Sequence, residues 1–172
     1  MIVLAGCGGG NKTKAQATPA KASSNADLRL PAHVPRRAHG AADRTSVHVI
    51  AKWLSRLRRG DEAGAARLWA TGSKFQNATP VLTINSPIEK VAIQKALPCG
   101  ARIKEAGGPA PFVVLVFVLT ERRGGNCGTG VGHTARGAIR VAHGKIAEWY
   151  RLPDDPAQEQ PNAVVTEGGA PA

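Results

Sequence analysis

Between residues 44 and 152 the sequence carries six carboxylates: Asp61, Glu62, Glu89, Glu105, Glu121 and Glu148. It also carries its only tyrosine there, Tyr150. General acid–base chemistry needs such a group held by an orienting partner at the reacting atom. Asp61 follows a glycine and reads as a helix cap, while Glu62 and Glu89 read as first-turn charges favoured by the helix dipole. Glu105, Glu121 and Glu148 fall in strand-like segments beside basic residues, where they can point outward. His133 is the one polar group expected at a sheet mouth, and a lone histidine without a partner is no base. The run Gly128-Thr129-Gly130-Val131-Gly132 has the glycines of a phosphate loop, but it leads into a strand and lacks the Lys-Ser/Thr that grips phosphate. It reads as a connection. The sequence therefore assigns no catalytic residue, no metal ligand set and no cofactor.

A second chemistry is covalent. Leu4-Ala5-Gly6-Cys7 resembles the lipobox of bacterial lipoproteins, in which an apolar and two small residues precede a lipidated cysteine. The resemblance implies lipidation at Cys7, with residues 1–7 as the remnant of a signal. Glycines at 8–10 then lift the following segment off the surface. Two or more acyl chains anchor firmly where one does not, because each buried methylene contributes about 0.8 kcal/mol. Residues 1–5 are shorter than the roughly 7–15 apolar residues of a secretory signal, and no Lys or Arg precedes Cys7. Either the chain begins further upstream or the match is fortuitous. Residues 8–43, rich in Lys, Ala, Ser, Thr and Pro, read as a flexible tether. The expected location is extracytoplasmic, on the bacterial cell membrane. In that oxidising setting Cys99 and Cys127 form an even pair suited to a disulfide. Zinc is the rival reading, and two cysteines with no CxxC and scattered histidines suit it poorly.

Composition sets the remaining limits. The 172 residues are one domain's length, and 42% hydrophobic residues suffice for a core, yet aromatics are only 4%. Each Trp and Phe must therefore carry much of the packing. The net charge of +11 is concentrated in residues 44–152, which hold 17 basic and six acidic side chains. Residues 153–172 hold four acids and no Lys or Arg, and read as a disordered acidic tail. A basic domain favours anionic neighbours such as lipid headgroups, envelope polymers or nucleic acid, unless its arginines are merely solvated. The basic helix face Lys52, Arg56 and Arg59 lacks the aromatic interleaving of single-strand binders, so no specific nucleic acid is expected.

The elements that would position these residues follow from periodicity. Residues 44–59 read as a helix with Val47, Ile50, Leu54 and Leu57 on one face and Trp53 beside it. Gly60 ends it, and Asp61 caps a second helix expected to run through Trp69 to Gly72. Phe75 and residues 80–84 read as extended. Ser86-Pro87, with Glu89 in the first turn, opens a third helix whose apolar positions are Ile88, Val91, Ala92 and Leu97. Pro98 stops it. Strands follow: an alternating stretch at 101–106, then Phe112 to Leu119, eight apolar residues that read as a strand buried on both faces. A hairpin turning at His143-Gly144 closes the domain, and residues 44–152 are expected to form an α+β unit.

The opening VIAKWLSRLRRGDEAGAARLWA and the closing HGKIAEWYRL resemble the nuclear transport factor 2-like superfamily, which includes the SnoaL-like proteins. The resemblance implies a cone: helices packed in a curved antiparallel sheet, around a mostly apolar pocket, with homodimers often formed through the sheet. On that reading Val114, Val116 and Phe117 build the sheet core, and Trp53, Trp69, Phe75, Phe117, His133 and Trp149 line or close the pocket. The expected function is an envelope-anchored, non-catalytic domain that binds a small apolar ligand or a partner protein. The alternative is a SnoaL-like enzyme, of isomerase, cyclase or hydrolase type, acting on a hydrophobic substrate.

Overall fold

The computed structural model describes residues 30–154. Cys7, the signal remnant and nearly all of the acidic tail lie outside the described residues. Helix α1 spans Arg44–Arg58, with Asp43 accepting from the Ser46 backbone N–H at 2.8 Å. Gly60, at φ 72°, turns the chain out of it, and the short α2 (Glu62–Ala66) starts under Asp61, which accepts from the Gly64 N–H. Strands β1 (Trp69–Gln76) and β2 (Leu82–Ile84) come next. Helix α3 (Pro87–Ala96) begins with a capping box: Ser86 accepts from the Glu89 N–H while Glu89 accepts from that of Ser86. Strands β3 (Gly100–Gly107), β4 (Phe112–Thr120), β5 (Thr134–Ala142) and β6 (Lys145–Leu152) complete the unit.

The six strands form one sheet in the order β2-β1-β6-β5-β4-β3. The architecture is α+β, as expected, but the sheet is mixed. Trp69 opens β1 instead of ending α2, and β1 runs parallel to β6 while all other neighbours are antiparallel. The loop after α2 and the tight turn His143-Gly144, both residues at positive φ, deliver β1 and β6 to the sheet from the same end. Ile146 N–H then closes on the Leu68 carbonyl at 2.7 Å. Register shifts interrupt β1–β6, β3–β4 and β5–β6, each a place where a strand bends.

Strand β4 is buried on both faces, and its two faces belong to different clusters. Val113, Leu115 and Phe117 pack with Ile50, Trp53, Leu54 and Leu57 of α1. Phe112 and Val114 face the other way, against Ala138, Tyr150, Leu152 and Val34. Val116 is only half-buried, so the expected core trio is split across the sheet.

Val34 belongs to the segment expected to be a flexible tether. Residues 30–42 instead lie as a strap across the outer face of the sheet. Val34 is 4% exposed, His39 and Ala41 pair with Gly108 and Gly107, and Arg136 donates to the Arg36 carbonyl at 2.6 Å. A side chain at Gly107 would meet Ala38 Cβ and the Gly40 carbonyl at 3.0 Å, so a larger residue there would push the strap outward by a few tenths of an ångström. Part of the segment expected to be tether therefore packs on the domain expected to begin at residue 44. The reason is that β4 has an apolar outer face, and the strap removes it from water.

Candidate functional site

Between α1 and the inner face of the sheet lies a cavity of about 160 Å³. Trp53 and Leu57 of α1, Leu97 at the end of α3, and Phe117, Ala135 and Trp149 of the sheet form its apolar walls. Asn77, Leu119 and Arg151 are half-buried and Pro98 is exposed, so they mark its mouth. Among the described residues no carboxylate and no histidine stands in its wall. The only ionisable members, Arg136 and Arg151, are already engaged. Arg136 donates to the carbonyls of Arg36 and Pro153, and Arg151 to the Arg136 carbonyl and the Asp154 carboxylate.

Of the six residues expected at the pocket, Trp53, Phe117 and Trp149 line it. Trp69 and Phe75 stand behind the wall. Trp53 meets Trp69 edge-on at 5.7 Å, Trp69 meets Phe75 at 5.8 Å, and Phe75 stacks on Trp149 at 4.9 Å. The rings thus pack on one another along one side and leave the space on the other, toward Leu97 and Leu119. His133 is corrected: it is exposed in the turn before β5, where its backbone bonds Gly130 and Leu119, and its ring takes no part in the cavity.

Two polar features hold the walls. Trp53 Nε1 donates to Gln94 Oε1 at 2.7 Å, and Gln94 is fully buried on α3. Arg122, just past β4, reaches under α3 and donates to the carbonyls of Gln94 at 2.6 Å and Leu97 at 3.1 Å, and to the Glu62 carboxylate. Its side chain is 1% exposed. This guanidinium satisfies carbonyls at the C-terminal end of α3 that have no helical partner. Sequence reasoning missed it, because an Arg-Arg pair at the start of a glycine-rich loop looks like solvated charge. The disulfide Cys99–Cys127 ties that same loop to the start of β3, and Cys99 borders the cavity.

The one cluster of acid, base and phenol among the described residues lies on the opposite face. Glu148 accepts from Arg140 Nε at 2.6 Å, Tyr150 Oη at 2.8 Å and His33 Nε2 of the strap at 3.1 Å. Burial pushes the Glu148 carboxyl up, but the bonds from His33, Arg140 and Tyr150 outweigh it and leave it below the ordinary range. Burial, then the bond to that carboxylate, raises the Tyr150 phenol, which stays neutral. Every member is turned toward another member. The arrangement latches the strap to the sheet.

Among the described residues no three or more His, Cys, Asp or Glu side chains are placed to hold a metal ion. None of the described helices is long and apolar enough to cross a membrane.

No family model matches the chain, and a search of curated proteins finds no match. The solved structures it is similar to are nuclear transport factor 2-like, ketosteroid isomerase-like and SnoaL-like proteins. A nuclear transport factor 2-like protein of unknown function from Cytophaga hutchinsonii is 12% identical, at a TM-score of 0.49, over 68% of this chain and 96% of its own. A protein with a ketosteroid isomerase-like fold from Catenulispora acidiphila is 10% identical, at 0.47, over 61% of this chain and 84% of its own. An epoxide hydrolase of the LEH-like type from Mycobacterium tuberculosis is 13% identical, at 0.45, over 63% of this chain and 81% of its own.

Proposed function

We propose that the domain is a non-catalytic binding module of the cell envelope. It is anchored through a lipidated Cys7 and takes a small apolar ligand into the cavity beneath α1. The observation that carries this reading is the wall itself: apolar and aromatic side chains, with no carboxylate or histidine, around about 160 Å³. An apolar cavity of about 150 Å³ is known to stay dry and to take benzene. The volume therefore suits a single six-membered ring or a short alkyl group. A drug-sized ligand, at about 300 Å³ or more, would extend out through the mouth at Asn77, Leu119 and Arg151. An isomerase, cyclase or hydrolase of the SnoaL-like kind would need an acid or base at the wall. Here the two arginines present are tied to carbonyls and to Asp154.

The test is thermal unfolding and tryptophan fluorescence of the purified protein with benzene, toluene and indole, since Trp53 and Trp149 form the wall. Ligand at a hundred times its dissociation constant should stabilise by about 2.7 kcal/mol. Ala135→Leu, which fills the cavity, should abolish the response while the protein stays folded. No saturable response across the panel would remove the ligand reading and leave capture of a partner protein as the role. The anchor is tested separately in a bacterial host. Cys7→Ala should move the protein from membrane to soluble fractions and end acyl labelling. Unchanged fractionation would overturn the envelope assignment.

A further inference from the structure

Helix α3 packs Ile93 inward yet carries a second apolar face outward. Its fully buried residue is Gln94, while Ile88 is 81% exposed, the most exposed large apolar side chain among the described residues. Val91 and Ala92 continue that outer face, and Pro87 begins it. On one side the face descends into a groove of about 630 Å³ between α2, α3 and β1, floored by Ala63, Ala66 and Trp69. On the other it forms a shallower hollow that ends at Lys95. Val81, just before the edge strand β2, and Leu82, its first residue, are also exposed.

Four cations border this apolar surface: Arg67, Lys90, Lys95 and Lys145. Two of them are held in place. Lys90 Nζ donates to Thr71 Oγ1 at 3.0 Å, and Lys145 Nζ donates to the Arg67 carbonyl. Among the described residues no carboxylate stands in either wall. The nearest acid on the helix, Glu89, is turned back onto the backbone N–H groups of Asn85 and Ser86, and Glu62 of α2 is paired with Arg122.

We propose that this corner is a docking surface for the interfacial layer of an anionic phospholipid bilayer. Ile88 enters the acyl boundary while Lys90, Lys95, Lys145 and Arg67 meet lipid phosphates. Charge complementarity selects this occupant. A second copy of the chain would set four cations against four, and a purely polar anion would leave Ile88 in water. The contact is independent of any acyl anchor and of the cavity. It would set which face of the domain lies on the membrane.

The experiment uses the full chain carrying Cys7→Ala, so that no acyl chain contributes, and vesicles of phosphatidylcholine with or without 30% phosphatidylglycerol. Co-sedimentation should be selective for the anionic vesicles. It should weaken as salt is raised to about 0.5 M, where charges are screened within about 4 Å. Lys90→Gln with Lys95→Gln should weaken binding about 30-fold, at about fivefold per charge. Ile88→Ser should weaken it about tenfold or more through lost apolar burial. Lys52→Gln with Arg59→Gln removes the same charge from the exposed face of α1 and should leave binding unchanged. Equal binding to both vesicles, or none, overturns the proposal. So does an α1 variant that loses as much as the α3 variant, because the net charge alone would then account for binding. Binding that ignores Ile88→Ser and is matched by soluble polyglutamate also overturns it, in favour of an acidic protein partner.

Discussion

Replacing Arg122 by methionine should be among the most damaging single changes outside the apolar core. Methionine keeps the length and much of the volume of the side chain but removes all three donated bonds, to the carbonyls of Gln94 and Leu97 and to Glu62. Each buried acceptor left unpaired costs about 1–3 kcal/mol. Breaking a buried ion pair by removing one partner costs about 3–5 kcal/mol. These terms overlap, because the same guanidinium serves all three acceptors and Glu62 keeps some access to water. The expected loss is therefore about 3–5 kcal/mol, a large part of the roughly 5–15 kcal/mol of a typical domain. With a urea slope near 2 kcal/mol/M, the midpoint should fall by about 1.5–2.5 M at unchanged slope. Glu62→Gln alone should cost less. The double variant should be less damaged than the sum of the singles by about 1–2 kcal/mol, since the second change removes an acceptor the first has already orphaned. Arg122 also fixes the Leu97 carbonyl, and Leu97 walls the cavity, so ligand affinity should fall even in variants that remain folded. A loss below about 1 kcal/mol, or strict additivity with Glu62→Gln, would refute the account of Arg122 as the tie between α2, α3 and the loop after β4.

The disulfide closes a separation of 28 residues, so Cys99→Ser with Cys127→Ser should cost about 3.5 kcal/mol in the chain-entropy model, measurable by the same urea titration under non-reducing conditions. A loss near zero would mean that the unfolded loop is already compact. The Glu148 latch should respond to acid. Its folded pKa lies below the ordinary glutamate value of 4.5, so its contribution is complete above that pH and is lost as pH falls through the lower folded value. Protection factors of the strap amides, taken against intrinsic exchange at each pH, should therefore fall below pH 4.5 before those of the inner core, and Glu148→Gln should remove that pH dependence.

Local chemistry was enough for much of the framework. Gly60-Asp61 and Ser86-Pro87-Ile88-Glu89, the latter a serine cap with an acid in the first turn, act within a few residues, so the helix starts and the end of α1 could be read from sequence. The eight apolar residues of β4 required cover on both faces whatever supplied it, and His143-Gly144 was a hairpin turn by backbone preference alone. The aromatic residues were legible as the large side chains around a cavity, because so few others could fill space.

Which surfaces meet was not legible. The assignment of Trp69 to β1, and the parallel pairing of β1 with β6, depend on strands more than sixty residues apart in the chain arriving from the same end of the sheet. Periodicity marked Ile88, Val91, Ala92 and Leu97 as the apolar positions of α3; Leu97 is buried, but the helix is held inward through Gln94 and Arg122 and Ile88 is left outside. His133 looked like a mouth residue until the bonds of its own backbone fixed it in an exposed turn. The strap looked like linker because its composition is polar, yet one valine, a few backbone bonds and the His33–Glu148 contact dock it. Sequence pattern reports the free energy of a residue against water. Partner choice is decided by shape and hydrogen bonding between segments far apart in the chain, and those exist only once the sheet is assembled.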